Sequence, residues 1–458
     1  MKKNIFKIFA ALFFIAVIVS CRKEDPLNVD FSKLNIDNPV ANTPLDTWLT
    51  TTFLNEYNID VIYRYNRFYH GDDRDVAAVK VDKVQPQMQT VLEGFLLPYR
   101  KVAGVTFIKK YAPKQFVLFG SGSYNPDNSY TLATAAAGRN ITIYDLNSFD
   151  LSDPNTIVNK LRTIHHEFTH ILNQIVPMPV DFQLITKSTY LATWTTKSDE
   201  SAQADGYVTP YASSQPGEDF AETTTSLLVY GQAWYDDRAN GSTAAGKIAL
   251  KAKEASVEQY FTVNLGIDFR ALQREIQEVV RNTYNYQQAS FPYWLGQNLY
   301  KSLIVNAAGD PIYSAFPLST PFSLVNNNMK TAIAALPYGL TYNFMKLNFT
   351  SSTAMDIEIN FNQGTRSFIS RYAYTMDLDQ ATGQTKFTIA AVGGNDASWV
   401  GNANLLRPAV QPMLDYLSNN TFVADWLPTG VDAVNYNKYG GFYVLGTPAN
   451  NFYGLLGQ

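Results

Sequence analysis

The sequence predicts an α+β protein with a helical first part and an antiparallel β-rich second part. In SDPNTIVNKLRTIHHEFTHILNQ the residues Ile157, Leu161, Ile164, Phe168 and Ile171, with Ile175 beyond them, recur at spacings of four and three, one stripe of a 3.6-residue helix. In NFMKLNFT, MDIEINFN, RSFISRYAYTMDL and TKFTIAAV apolar and polar residues alternate, with the turn signals NQGT and ATGQ between them. The length, 458 residues, exceeds one ordinary domain, and 46% hydrophobic against 17% charged residues is the composition of a folded chain with a large core.

Residues 1–20, MKKNIFKIFAALFFIAVIVS, place Lys2, Lys3 and Lys7 before an apolar run from Ile8 to Val19 and a small residue, Ser20. That is the layout of an export signal, and the run is shorter than the ~20 residues a membrane-spanning helix needs. Cys21 follows and is the single cysteine, so no internal disulfide can form. IVSC resembles a bacterial lipobox, with Ile18 where Leu is usual and Val19 where a small residue is usual; the resemblance implies cleavage before Cys21 and lipidation of its thiol. RKEDP after it resembles the short acidic tag that sends Bacteroidetes lipoproteins to the cell surface. Loss of the leader removes three lysines from a chain whose formal charge is already -4, and no basic run remains, which argues against nucleic acid and anionic lipid as partners.

Residues 21–44, polar and broken by Pro26, Pro39 and Pro44, read as a tether, with folded structure from about Leu45. Residues 85–102 read as helix, and QFVLFGSG (115–122) and TLATAAAGRNITIYDL (131–146) as strands. In the striped helix, Ser152 is the expected cap and Pro154 fits the first turn. Residues 245–287 read as helical and close a first domain, 45–305. Residues 310–458 form the β-rich domain, with a helix near Leu405–Leu417, and loosely resemble lipocalin-like modules. Trp399, Trp426, Phe442 and Tyr443 could line a groove there, although most such aromatics belong to a core.

Three of the four histidines, His165, His166 and His170, fall within six residues. On a helical wheel from Ile164, His166 and His170 lie at roughly 200° and 240°, on the face away from the apolar stripe. His166-Glu167-Phe168-Thr169-His170 is an HExxH motif. Imidazoles at i and i+4 can reach one Zn²⁺, and Glu167 sits beside them to accept a proton from water. His165 reads as a flanking residue supporting the ligands.

A catalytic zinc wants a third protein ligand, and no histidine follows His170. Asn173 and Val176 stand where the metzincin continuation needs glycine and histidine. A downstream carboxylate is required, from Asp181, Asp199, Glu200, Asp205, Glu218, Asp219 or Glu222. Three of these lie in QPGEDFAETTTSLLVYG, where Pro216 and the acidic pair mark a helix start and Glu218 and Glu222 share a face.

HEFTHILNQ followed by YASSQPGEDFAE resembles the zinc-binding metallopeptidases of Bacteroidetes lipoproteins, the substrate import-associated zinc metallohydrolases. The same blocks are similar to those of the anthrax lethal factor protease, a gluzincin. The resemblance covers roughly 45–300 and implies a zincin-type metallohydrolase domain built around the HExxH helix. It implies His166, His170 and Glu218 as ligands of one Zn²⁺, Glu167 as base, Tyr211 as oxyanion donor and Glu222 as the group orienting a ligand histidine. Asp219 departs from the protease, which has an aromatic there.

The implied function is a surface-anchored zinc-dependent hydrolase, a metallopeptidase serving nutrient acquisition at the outer membrane. Its implied partners are a peptide or protein substrate and a TonB-dependent importer with its surface lipoprotein. GRNITIY (138–144) is the expected edge strand for pairing with substrate. The competing reading is a non-catalytic ligand-binding lipoprotein with a vestigial metal site, against which the intact Glu167 speaks.

Overall fold

The computed structural model describes residues 42–458 apart from 72, 125–129, 132, 137–139, 297–298 and 393–395. The leader, Cys21 and the tether up to residue 41 lie outside the described residues. The chain divides after Trp48 into two compact units. In the described end of the first, Asp46 accepts from the backbone and hydroxyl of Thr43 as the helix Pro44–Leu49 begins. Among the described residues no helix is long and apolar enough to cross a membrane.

After a π-helical segment (Thr50–Asn55), the second unit holds strand β1 (Asp60–Ile62) and two helices, α1 (Val81–Val91) and α2 (Leu97–Tyr111), joined through a second π-helical turn. Strands β2 (Gln115–Leu118), β3 (Ala133–Ala136) and β4 (Asn140–Ile143) complete a four-stranded sheet in the order β1-β2-β4-β3. β1, β2 and β4 are parallel and β3 runs antiparallel at the edge. This corrects the expectation for GRNITIY: β4 is paired on both sides, so β3 holds the edge. Gly138 and Arg139 of that stretch lie outside the described residues.

The striped helix is α3 (Pro154–Ile175). Its cap is Asp153, which accepts from the Asn155 N–H, while Ser152 bonds Asp150 instead. One position decides this, because Pro154 occupies the first turn and Asp153 directly precedes it. Ile157, Leu161, Ile164, Phe168 and Ile171 are buried as the stripe requires, and Ile175, in the last turn, is exposed. Lys160 Nζ donates to the Tyr144 carbonyl at 2.8 Å, tying the helix to the end of β4. The turn between α1 and α2 comes so close to α3 that a Cβ on Gly94 would lie 2.5 Å from Leu161 Cδ2.

Next follow α4 (Pro216–Thr225), α5 (Ala244–Gln259) and α6 (Phe269–Asn282). α4 lies against α3, and its buried Phe220 and Thr224 continue into Leu227 and Leu228. Asp219 and Lys253 form an ion pair of 2.7 Å in which both side chains are fully buried. Tyr190 donates to the same carboxylate at 2.8 Å and Lys253 donates to the Gly206 carbonyl at 2.8 Å.

The strands of the C-terminal part are β5 (Ser302–Val305), β6 (Leu340–Phe349), β7 (Ala354–Gln363), β8 (Arg366–Leu378), β9 (Gln384–Val392), β10 (Thr421–Asp425), β11 (Tyr439–Val444) and β12 (Thr447–Gly457). They close an antiparallel barrel in the order β8-β9-β10-β11-β12-β5-β6-β7. Gly364, at φ 59°, opens the two-residue turn between β7 and β8 in the NQGT segment. β5 lies within the stretch assigned from sequence to the first domain.

Two helices pack on the apolar side of the strands. α7 (Thr320–Ala334) is absent from the sequence reading, although Ser319 caps it and Phe322, Asn326, Met329 and Ile333 bury one stripe. α8 (Ala397–Asn419) runs longer than Leu405–Leu417, through Pro408 and Pro412, with Asp396 as its cap. Its Ala403, Leu406, Val410, Met413 and Leu417 are buried, and that packing holds the helix together across the two missing N–H donors. Trp426 and Phe442 are core residues, while Trp399 is half-buried.

Candidate metal centre

α3 presents His166 and His170 one turn apart, and α4 brings Glu218 to them from its first turn. His166 Nε2 lies 3.0 Å from Glu218 Oε2, His170 Nε2 lies 3.2 Å from the same oxygen, and the two Nε2 atoms are 3.1 Å apart. Three ligand-type atoms therefore form a nearly equilateral triangle. Tetrahedral zinc with bonds of about 2.0–2.1 Å holds its ligands about 3.3 Å from one another. The residues fit one cation, with the fourth position left to the cleft.

The charge balance fits as well. Glu167, Glu218 and Glu222 bring three carboxylates to the two imidazoles, and Arg162 is tied to this group as a cation. Burial alone would push His166 down, but its bonds to Glu218 and Glu222 outweigh that and carry it up to about 10. Burial would raise the Glu218 carboxyl, and bonds to His166 and His170 instead hold it well below the carboxylate range. The site is built to hold positive charge.

Glu222 lies against the other ring nitrogen of His166. Its Oε1 is 2.9 Å from His166 Nδ1, while Oε2 accepts from Arg162 and, at 2.7 Å, from the Thr209 hydroxyl. With Nδ1 so engaged, Nε2 is the nitrogen turned to Glu218 and His170. Glu222 is held at about 2, burial being outweighed by Arg162 and His166. Gln215 donates to Glu218 Oε1 at 3.3 Å, which leaves Oε2 toward the histidines.

Tyr211 begins a short 3₁₀ turn before α4, with its ring 6.0 Å from that of His166 and 5.0 Å from Trp194. Its hydroxyl bonds Glu218, and burial with the nearby carboxylates keeps the phenol protonated, as a donor must be. Glu167 is nearly buried and lines, with His170 and Glu218, an open cleft of about 470 Å³. Asn173, one turn beyond His170, lines the same cleft and its Oδ1 is a buried acceptor without a partner.

His165 is corrected. It is fully buried on the other side of α3, with Nε2 3.1 Å from the Gly94 carbonyl and its ring against Phe95 and Tyr99, and so belongs to the core. Among the other carboxylates, Asp199 pairs with Arg238, Asp205 with Lys197 and Asp219 with Lys253. The sequence reading omits Arg162 and Thr209. Arg162 had a signal, since it precedes His166 by the same four residues that separate His166 from His170.

No curated protein matches the chain. Among solved structures it is similar to one titled "Crystal structure of a putative zinc-binding metallo-peptidase" from Bacteroides caccae, at 29% identity and TM-score 0.46, covering 53% of this chain and 94% of that one. The family model described as "Putative zinc-binding metallo-peptidase" matches residues 38–270, just over half of the chain and a span that contains His166, His170 and Glu218. The chain belongs to this zinc-binding metallopeptidase family.

Proposed function

We propose that the protein is a zinc-dependent peptidase of the gluzincin type, anchored through Cys21 at the outer surface of the cell and serving nutrient acquisition with an outer-membrane importer. The observation that carries the catalytic reading is the triangle of His166, His170 and Glu218 with Glu167 beside it in an open cleft. A structural metal site would close its fourth position and would have no use for Glu167.

A zinc ion held there supplies Lewis acidity and brings the pKa of water toward ~7. Glu167 accepts the proton of the attacking water and returns it to the leaving amine. The Tyr211 hydroxyl donates to the oxyanion as the scissile carbonyl becomes tetrahedral. Asn173 Oδ1, a buried acceptor awaiting a partner, takes an N–H of the substrate. β3, as the edge strand, offers its backbone to an extended peptide.

The test combines elemental analysis of the purified protein with cleavage of a mixed peptide library. One zinc per chain and cleavage abolished by a chelator are expected. Zinc without any cleavage would favour the ligand-binding reading. For the anchor, the chain expressed from Leu45 should stay in solution while the full chain fractionates with membranes unless Cys21 is replaced by Ser.

A further inference from the structure

A second pocket lies in the barrel, outside the span of the family match, and its chemistry differs from that of the metal cleft. It has a volume of about 400 Å³, within the range of small-molecule sites, and sits where the start of α8 meets the ends of β6, β7 and β8 that flank the Gly364 turn. Three side-chain amides, Asn343, Asn360 and Asn402, and three aromatic rings, Phe344, Phe368 and Trp399, line it together with two serine hydroxyls. No ionisable side chain is among the lining residues, which disfavours phosphate, carboxylate and amine ligands.

Several of these groups are fixed in advance. Trp399 is stacked under the Arg371 guanidinium at 3.9 Å, and Arg371 is itself paired with Glu358. Asn343 donates to Asn362 at 2.8 Å, and Asn402 donates to the Ile369 carbonyl at 3.0 Å, so each keeps its own amide oxygen as an acceptor. Asn360 Nδ2 is a buried donor without a partner. An orphaned buried donor beside fixed acceptors and flat rings fits a ligand with many hydroxyls around an apolar face.

We propose that this pocket binds a neutral sugar residue, its ring stacked on the face of Trp399 opposite Arg371 and its hydroxyls bonded to the asparagine amides. A pyranose has an apolar C–H face and a rim of groups that both donate and accept, so one ligand satisfies Asn360 Nδ2 and the amide oxygens together. An extended peptide fits less well, because the backbone at Asn360 is already paired with Phe344 on one side and Ile369 on the other. The assignment is independent of the metal site.

The test is ligand-observed saturation-transfer NMR on the full chain with glucose, galactose, mannose and N-acetylglucosamine, and with N-acetylalanine methylamide as a peptide-like probe. At least one sugar should saturate, and Trp399→Ala and Asn360→Ala should each weaken it by about tenfold or more. Trp399→Phe, which keeps an aromatic platform, should retain most of the binding, and zinc content should be unchanged in all three. The proposal is overturned if no sugar saturates, if binding survives both alanine variants, or if only the methylamide probe binds.

Discussion

Glu222 grips His166 from behind. Its Oε1 lies 2.9 Å from Nδ1, so the nitrogen that points to Glu218 and His170 is Nε2. Two carboxylates one helical turn apart therefore meet different nitrogens of one imidazole: Glu218 lies at Nε2 beside His170, and Glu222 lies at Nδ1.

That division predicts how metal is lost. Glu218→Ala removes a ligand and should leave substoichiometric zinc after dialysis. Glu222→Ala keeps all three ligand atoms but frees His166 and strands Arg162, and should weaken zinc by roughly 10- to 100-fold. Elemental analysis and chelator competition separate the two. Full zinc in Glu218→Ala with loss in Glu222→Ala would exchange the two assignments.

Glu167→Gln should retain zinc and fold while turnover falls by roughly 10²- to 10⁴-fold, because the amide keeps the size and removes the base. Tyr211→Phe removes one donor to the oxyanion and should cost about 10²- to 10³-fold at most. Both are read as kcat on a library-derived peptide with zinc measured alongside. Wild-type turnover in zinc-loaded Glu167→Gln would sink the hydrolase reading.

The two histidines of the cluster were legible because HExxH is a local motif on one helical face. Glu218 was reachable through resemblance alone, since spacing leaves Glu218 and Glu222 equivalent and only the packing of α4 on α3 distinguishes them. His165 shows the limit of a helical wheel: at 100° from Ile164 it borders the apolar stripe, and the approach of Gly94, Phe95 and Tyr99 from a distant segment buries it. Asp219, one of the candidate carboxylates, is taken by Lys253 on another helix. α7 was hidden because its apolar residues sit in a stretch read for strand alternation, while α8 was read short at its start, residues 397–404, where Gly401 and the polar residues Ser398, Asn402 and Asn404 weaken the apolar pattern; both prolines lie inside the part read as helix.

The Asp219–Lys253 pair sits directly beside the proposed ligand Glu218. Burial pushes the Asp219 carboxyl up and the Lys253 ammonium down, and each is opposed by the other's charge. Lys253→Met leaves a buried carboxylate with only the hydroxyls of Tyr190, Thr186 and Thr223 and should destabilise the chain by about 3–5 kcal/mol. Lys253→Met with Asp219→Leu removes both charges and should recover much of that loss. Denaturant midpoints decide it; a double variant no more stable than the single would contradict a strongly coupled pair.

His165 gives the fold a pH dependence of its own. Burial holds its pKa at about 4, the bond to the Gly94 carbonyl offsetting only part of the effect. The neutral ring donates from Nε2, and Nδ1 is buried without a partner, so a second proton would create an unsatisfied donor. In the unfolded chain the imidazole takes up its proton near pH 6.5. The stabilisation from a neutral His165 is therefore complete above pH 6.5 and is lost as the pH falls through about 4, by on the order of 3 kcal/mol in all. His165→Gln, which can still donate to Gly94, should flatten this part of the profile. Urea unfolding of chelator-treated wild type and variant between pH 7.5 and 4 makes titration of the metal ligands common to both. Parallel profiles would show that His165 carries no such penalty.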